Sequence, residues 1–234
     1  MLKKRREKTN PKGLALSSSK GLTLIELLVS MFIMGLMIGV VVYNHKNFVD
    51  NLEITNLAYA MALSIREAQI AGISVKIDPE NNFSSAFGVH FNINDKTSSF
   101  RGNDKAFLTF ADLNESEHYD EVHGFYSYFD CDIDNNEECV SVKEIGRGNY
   151  IYNICYRGTT ANMTCSTSIK GVDITFLRPK PDANTRFRDK TGKISTTHND
   201  KEAIICLKSP EGRTKSVHVL KTGQISVRNE ECSS

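Results

Sequence analysis

Residues 21–43 read GLTLIELLVSMFIMGLMIGVVVY. From Leu22 to Tyr43 this is a run of 22 residues with one charge, Glu26. A helix of that length and composition crosses a hydrocarbon layer of about 30 Å, at about 1.5 Å per residue. Seven basic residues precede it (Lys3, Lys4, Arg5, Arg6, Lys8, Lys12 and Lys20), opposed within residues 1–21 by Glu7 alone. A basic flank on one side of a spanning helix predicts that this end stays in the cytoplasm and the rest of the chain is exported.

The overall charge of +1 over 234 residues therefore hides an asymmetry. Outside residues 1–21 the chain carries 22 basic and 27 acidic side chains, a net −5. Such a body gives no global electrostatic reason to bind nucleic acid. All six cysteines (Cys131, Cys139, Cys155, Cys165, Cys206 and Cys232) lie in the last 104 residues. An even number confined to one exported region predicts disulfides, and the absence of Cys-x-x-Cys or Cys/His finger spacing argues against the competing zinc reading. Of fifteen possible connectivities the sequence-local one is expected: Cys131–Cys139, Cys155–Cys165 and Cys206–Cys232.

The apolar run ends in Val40, Val41, Val42, Tyr43 and Asn44, which offers no small-residue cleavage site. The unusual feature lies at its start, where Lys20-Gly21 directly precedes it and Glu26 sits five residues past Gly21. A carboxylate in a membrane helix costs about 2.5–3.5 kcal/mol on insertion scales, so it needs a reason. A cut after Gly21 supplies one. Leu22 then bears an α-amine one helical turn from Glu26, able to pair with it or with a neighbouring subunit's carboxylate.

Gly21, Leu22, Thr23, Leu24, Ile25 and Glu26, followed by the unbroken apolar stretch, resemble the class III signal of type IV prepilins and type II secretion pseudopilins. The resemblance implies that prepilin peptidase cuts between Gly21 and Leu22, that Leu22 is N-methylated, and that Glu26 guides the subunit into a filament. Leu22 departs from the commoner Phe or Met at the first mature position. The implied partners are other pilin or pseudopilin subunits, the peptidase, the inner-membrane assembly platform and membrane lipid. The implied place is the cytoplasmic membrane, with the C-terminal domain periplasmic or extracellular.

Beyond Asn51, Ile54, Leu57, Met61, Ile65 and Ala68 recur at helical spacing, with Gly72 as a stop. This predicts one helix over 22–72, its first half spanning a membrane and its second half amphipathic. Gly35 and Gly39 form a small-xxx-small pair suited to close helix approach. After Gly72 short strand signals take over: 73–77, 87–93, 107–110, 150–155, 172–177, 203–208, 216–220 and 224–228. Val172, Ile174 and Phe176 alternate with Asp173 and Thr175, as one buried face requires. Pro210-Glu211-Gly212 and Thr222-Gly223 predict turns of an antiparallel meander. Residues 178–201, polar and holding Pro179 and Pro181, read as a long exposed loop. The expected class is α+β: a long N-terminal helix packed on an antiparallel β-sandwich-like domain. The segments are a removable leader (1–21), a transmembrane helix (22–43), its amphipathic continuation (44–72) and a β-rich globular domain (73–234).

Ala62, Leu63, Arg66, Glu67 and Ala68, then Phe87-Gly88-Val89, then the run from Phe107 to Asn114 with Asp120 after it, look like the minor-pilin and pseudopilin branch that includes the H-type secretion subunit. That resemblance implies a minor structural subunit. Two other functions stay open: an adhesive or DNA-binding minor pilin, and a membrane-tethered calcium-binding module. For calcium, Asp132, Asp134, Asn136 and Glu138 alternate between Cys131 and Cys139 and offer hard oxygen donors, although the glycine and distal glutamate of an EF-hand are missing. The stretch from Asp112 to Asp120 is a second acidic candidate, read as turns. His118 and His123 flank Asp120 and Glu121 without a zinc spacing. Arg178, Lys180, Arg186, Arg188, Lys190 and Lys193 make the one positive stretch, read as a solvated loop rather than a phosphate-binding surface. No nucleophile elbow, phosphate loop or His-Glu-x-x-His occurs, so neither catalysis nor an organic cofactor is expected.

Overall fold

The computed structural model describes residues 21–74, 85–93, 103–120, 131, 138–158, 162–198 and 201–232. The chain divides into two units, Met1–Lys46 and Asn47–Ser234. Helix α1 runs from Leu24 to Ile73, through 50 residues without a proline. It starts two residues later than the apolar run because Thr23 is its cap: Leu27 N–H donates to the Thr23 carbonyl at 3.1 Å and Glu26 N–H to Thr23 Oγ1 at 3.3 Å. It closes with Ser74 N–H on the Ile70 carbonyl. Ile73, read from the sequence as opening a strand, is helical; residues 75–77 lie outside the described residues.

In the second unit the helix buries Ile54, Ala58, Met61, Ile65 and Ala68, a 4-3-4-3 spacing that keeps one stripe facing inward. Ala58 holds the centre of that stripe. Leu57 is only partly buried, at its margin. Gly72 continues the stripe because nothing larger fits. A Cβ there would lie 2.2 Å from the Phe176 carbonyl oxygen.

Nine strands occur among the described residues: β1 (Ala86–Asn92), β2 (Ala106–Asp112), β3 (Cys139–Glu144), β4 (Tyr150–Arg157), β5 (Ile169–Phe176), β6 (Ala183–Asp189), β7 (Glu202–Lys208), β8 (Thr214–Val219) and β9 (Ile225–Arg228). One sheet has the order β3-β2-β1-β5-β6, the other β4-β7-β8-β9. Every strand pairing is antiparallel, so the class is α+β, a long helix packed on antiparallel sheets. One core cluster takes Val89, Phe91, Phe107, Ile174 and Phe187 from the first sheet. Ile151, Ile154, Ile205, Leu207 and Val217 come from the second, and the helix stripe completes it. The meander β7-β8-β9 turns at Gly212 (φ 85°) and Gly223 (φ 77°), with Gly212 N–H on the Ser209 carbonyl and Gly223 N–H on that of Leu220.

Two expectations are corrected. The stretch 178–201 is not one exposed loop: β6 occupies 183–189 and buries Ala183, Thr185 and Phe187. Its alternation is disguised because the intervening positions are Asn184, Arg186 and Arg188, and Arg188 is itself buried. The strand β5 does not have one wet face either. Asp173 and Thr175 are as fully buried as Val172 and Ile174, because the outer side of this sheet carries a second packed layer. That layer includes Leu108, Phe110 and Tyr119.

Candidate functional site

The segment that the sequence singles out, residues 21–26, is displayed at the start of α1. Gly21 is exposed and would meet nothing within 4 Å if it carried a Cβ. No contact among the described residues asks for glycine there. Leu22 is 74% exposed. Thr23, as cap, puts Glu26 at the third helical position, the spacing of a capping box. An acidic group in a first turn also faces the positive end of the helix dipole. Glu26 is thus favoured by local helix physics before any partner is considered, and a free amine at Leu22 would lie within the same turn.

From Leu24 to Tyr43 the large apolar side chains are exposed throughout. The most apolar 18-residue window of α1 has a mean hydropathy of 2.5 and none of it is buried. A core helix of a water-soluble domain would be covered; this one is long and apolar enough to cross a membrane. Gly35 and Gly39 have open space where their Cβ atoms would be.

The cysteines are all paired. Cys131–Cys139, Cys155–Cys165 and Cys206–Cys232 have Cα separations of 5.3, 4.2 and 6.2 Å. Each pair fastens a strand: Cys139 opens β3, Cys155 lies in β4, and Cys206 in β7 is joined to the chain after β9.

Of the four calcium candidates, Asp132, Asp134 and Asn136 lie outside the described residues. Glu138 is described and buried, with its carboxylate turned onto the backbone. It accepts Leu113 N–H at 3.3 Å and Asp120 N–H at 2.9 Å, clasping the end of β2 and the following segment to the start of β3. Burial pushes its carboxyl up to about 7; the charges of Asp120 and Asp112 add to this and the two N–H donors oppose it. In the second acidic stretch Asp112 accepts Ser116 N–H at 2.9 Å and Glu117 N–H at 2.8 Å, while Asn114 donates to Asp120 at 2.7 Å. These are turn-forming contacts. His118 Nε2 lies 3.2 Å from Asp120; His123 and Glu121 lie outside the described residues.

The positive stretch is partly spent inside the fold. Arg186 pairs with Glu117, and Arg188 donates through Nε to Asp173 at 2.9 Å and through its terminal nitrogens to the carbonyls of Tyr119 and Gly192. On the far side of Asp173, His90 Nδ1 approaches Oδ1 at 2.5 Å, and Asn92 stands 3.2 Å from His90 Nε2. Burial alone would raise the Asp173 carboxyl, but Arg188 and His90 together hold it below the usual carboxylate range. A second buried histidine, His218, sits between Glu202 (2.8 Å) and Ser216 (3.0 Å), and burial holds its pKa down. Sequence reasoning missed both clusters. The signal for the first was Asp173 alternating with apolar residues, read there as a solvent face.

Residues 16–42 match the family described as the prokaryotic N-terminal methylation motif. No curated protein and no solved structure gives a significant match to the chain.

Proposed function

We propose that this chain, whose methylation motif supports the type IV prepilin and pseudopilin family, is a minor structural subunit of a pilus-like filament or a type II secretion pseudopilus, akin to the H-type subunit. Prepilin peptidase removes residues 1–21 and Leu22 becomes a methylated N-terminus. The basic leader stays in the cytoplasm and the disulfide-bonded domain is exported. One observation carries the reading: the methylation motif coincides with a single carboxylate, Glu26, in the otherwise uncharged and exposed apolar stretch from Leu22 to Tyr43. The new amine, on its own subunit or the next, gives that carboxylate its partner and draws the subunit from the assembly platform into the filament. The role is assembly, with no catalysis.

The adhesive or DNA-binding alternative is weakened by Arg186 and Arg188, two of its six cations, which are paired with Glu117 and Asp173. The test is Glu26→Ala, followed in membrane and sheared-filament fractions. The variant helix is more apolar and still inserts, so processed protein is expected to collect in the membrane and to fall at least tenfold in filaments. Equal incorporation of the variant would overturn the proposal.

A further inference from the structure

Helix α1 and the turn between β3 and β4 flank an open recess of about 320 Å³. Glu53, Asn56 and Leu57 form its helix side, and Gly146, Arg147 and Asn149 its turn side. All six belong to the unit Asn47–Ser234. Two features of the turn go beyond what reversing the chain requires. Arg147 has φ 59°, a left-handed conformation uncommon for a residue with a Cβ, and its guanidinium meets the Glu53 carboxylate of α1. Asn149 is 3% exposed; its main-chain N–H and its Nδ2 both donate to the Gly146 carbonyl at 3.3 Å, whereas its Oδ1 has no partner among the described residues. A buried acceptor without a donor costs more than an ordinary hydrogen bond gains, and native structures keep few of them.

These groups set conditions on what the recess can hold. Asn149 Oδ1 calls for an O–H or N–H donor. The opposite charges of Glu53 and Arg147 cancel, so neither a cation nor an anion is drawn in by charge. The second carboxylate oxygen of Glu53 can also accept, while Arg147 and the exposed Asn56 amide carry further N–H groups. A ligand therefore has to donate and accept at neighbouring positions without carrying charge. Vicinal hydroxyls do both, and Leu57 offers apolar surface to the C–H side of a ring. The volume stands at the small end of ligand pockets, about 300–1,000 Å³. It has room for roughly ten waters at about 30 Å³ each, or for one hexose ring in their place.

We propose that this recess binds one hexopyranose unit of a neutral glycan, with Asn149 Oδ1 and Glu53 accepting from adjacent hydroxyls and Arg147 and Asn56 donating to their oxygens. The binding is non-covalent and gives the orphaned Oδ1 its donor. The site lies beyond the assembly reading, because it uses neither Glu26 nor the N-terminus at Leu22. It puts a glycan contact on the part of the subunit read above as exported.

The full-length chain is held in a detergent without a sugar head group. Saturation-transfer NMR is then recorded with the methyl pyranosides of glucose, galactose and mannose, with acetamide as the amide probe. Saturable transfer to the ring protons of at least one glycoside is expected. Asn149→Ala and Asn56→Ala should each weaken it at least fivefold. Asn56 is exposed, so circular dichroism of its variant should match the parent; Glu115→Gln, outside the recess, should bind as the parent does. No transfer to any of the three glycosides would overturn the proposal. So would undiminished binding by Asn56→Ala, or transfer to acetamide alone, which would mark the recess as a seat for a partner's amide group.

Discussion

In the first half of α1, Leu24, Phe32 and Val41 are 79%, 68% and 67% exposed, whereas Ile54, Met61 and Ile65 in the second half are fully buried. The backbone is the same helix in both halves and the residue types overlap. What differs is where the partner lies. The second half meets Val89, Phe91 and Phe176 of its own chain in one core cluster. Among the described residues the first half has no such surface. Leaving a Leu, Ile or Phe in water forgoes about 1.5–3 kcal/mol each, and repeated over a dozen positions this exceeds the 5–15 kcal/mol that keeps a typical domain folded. Cover by lipid or by other helices fits this exposed apolar stretch, and the methylation motif independently implies both a membrane anchor and assembly with other pilins.

If that contrast is right, damage should register in the domain only where the partner is internal. The largest effect is expected at Arg188→Leu, which removes the guanidinium from the fully buried Asp173 carboxylate and leaves it His90 alone as its ionisable partner among the described residues. Removing one member of such a pair costs about 3–5 kcal/mol, read as a loss of unfolding free energy in denaturant titrations of the detergent-solubilised chain. Replacing both residues with apolar ones should recover part of the loss. An Arg188→Leu protein as stable as the parent would mean that β6 is not fastened this way.

A matched pair of substitutions addresses the helix directly. Met61→Ala removes a side chain with no exposed surface and should cost about 2–5 kcal/mol. Met34→Ala, at 64% exposure, should leave the domain's unfolding midpoint where it was. Equal losses at both positions would break the distinction between the halves.

A subtler effect is expected from pH. Asp173, held below the usual carboxylate range, contributes stability that is present above its ordinary value and is lost as pH falls. Glu138 has the opposite sign. With its carboxyl pushed up to about 7, the folded state holds a proton that the unfolded state releases near 4.5, so its contribution is full below 4.5 and disappears as pH rises through 7. Glu138→Gln should flatten the decline in melting temperature between pH 5 and pH 8, at the cost of weakening one of the two backbone contacts. A variant with an unchanged slope would show that another group titrates there.

The parts of the fold legible in the sequence were those where one physical rule acted alone. The helix was readable because its apolar stripe has a 4-3 spacing and no proline intervenes; β7, β8 and β9 were readable because glycine turns separate clean strands. β6 was not, because Arg186 and Arg188 look like solvent-facing residues until Glu117 and Asp173 are brought to them by the fold. Likewise β3 follows directly on the acidic run after Cys131, and its residues Cys139–Glu144 show too little alternation to stand out. The second packed layer outside the larger sheet is built from segments distant in sequence, so no local pattern announces it. The candidate processing segment is local in sequence, with Gly21, Leu22 and Glu26 among six consecutive residues, and it lies inside the matched methylation motif.

The most direct measurement is the intact mass and N-terminal sequence of the protein recovered from membranes of cells that hold a prepilin peptidase. The chain should begin at Leu22 and carry one extra methyl group on its amine, while Gly21→Val should leave residues 1–21 attached. A wild-type chain that keeps its leader or begins elsewhere, or a Gly21→Val chain that still begins at Leu22, would contradict the account at its centre.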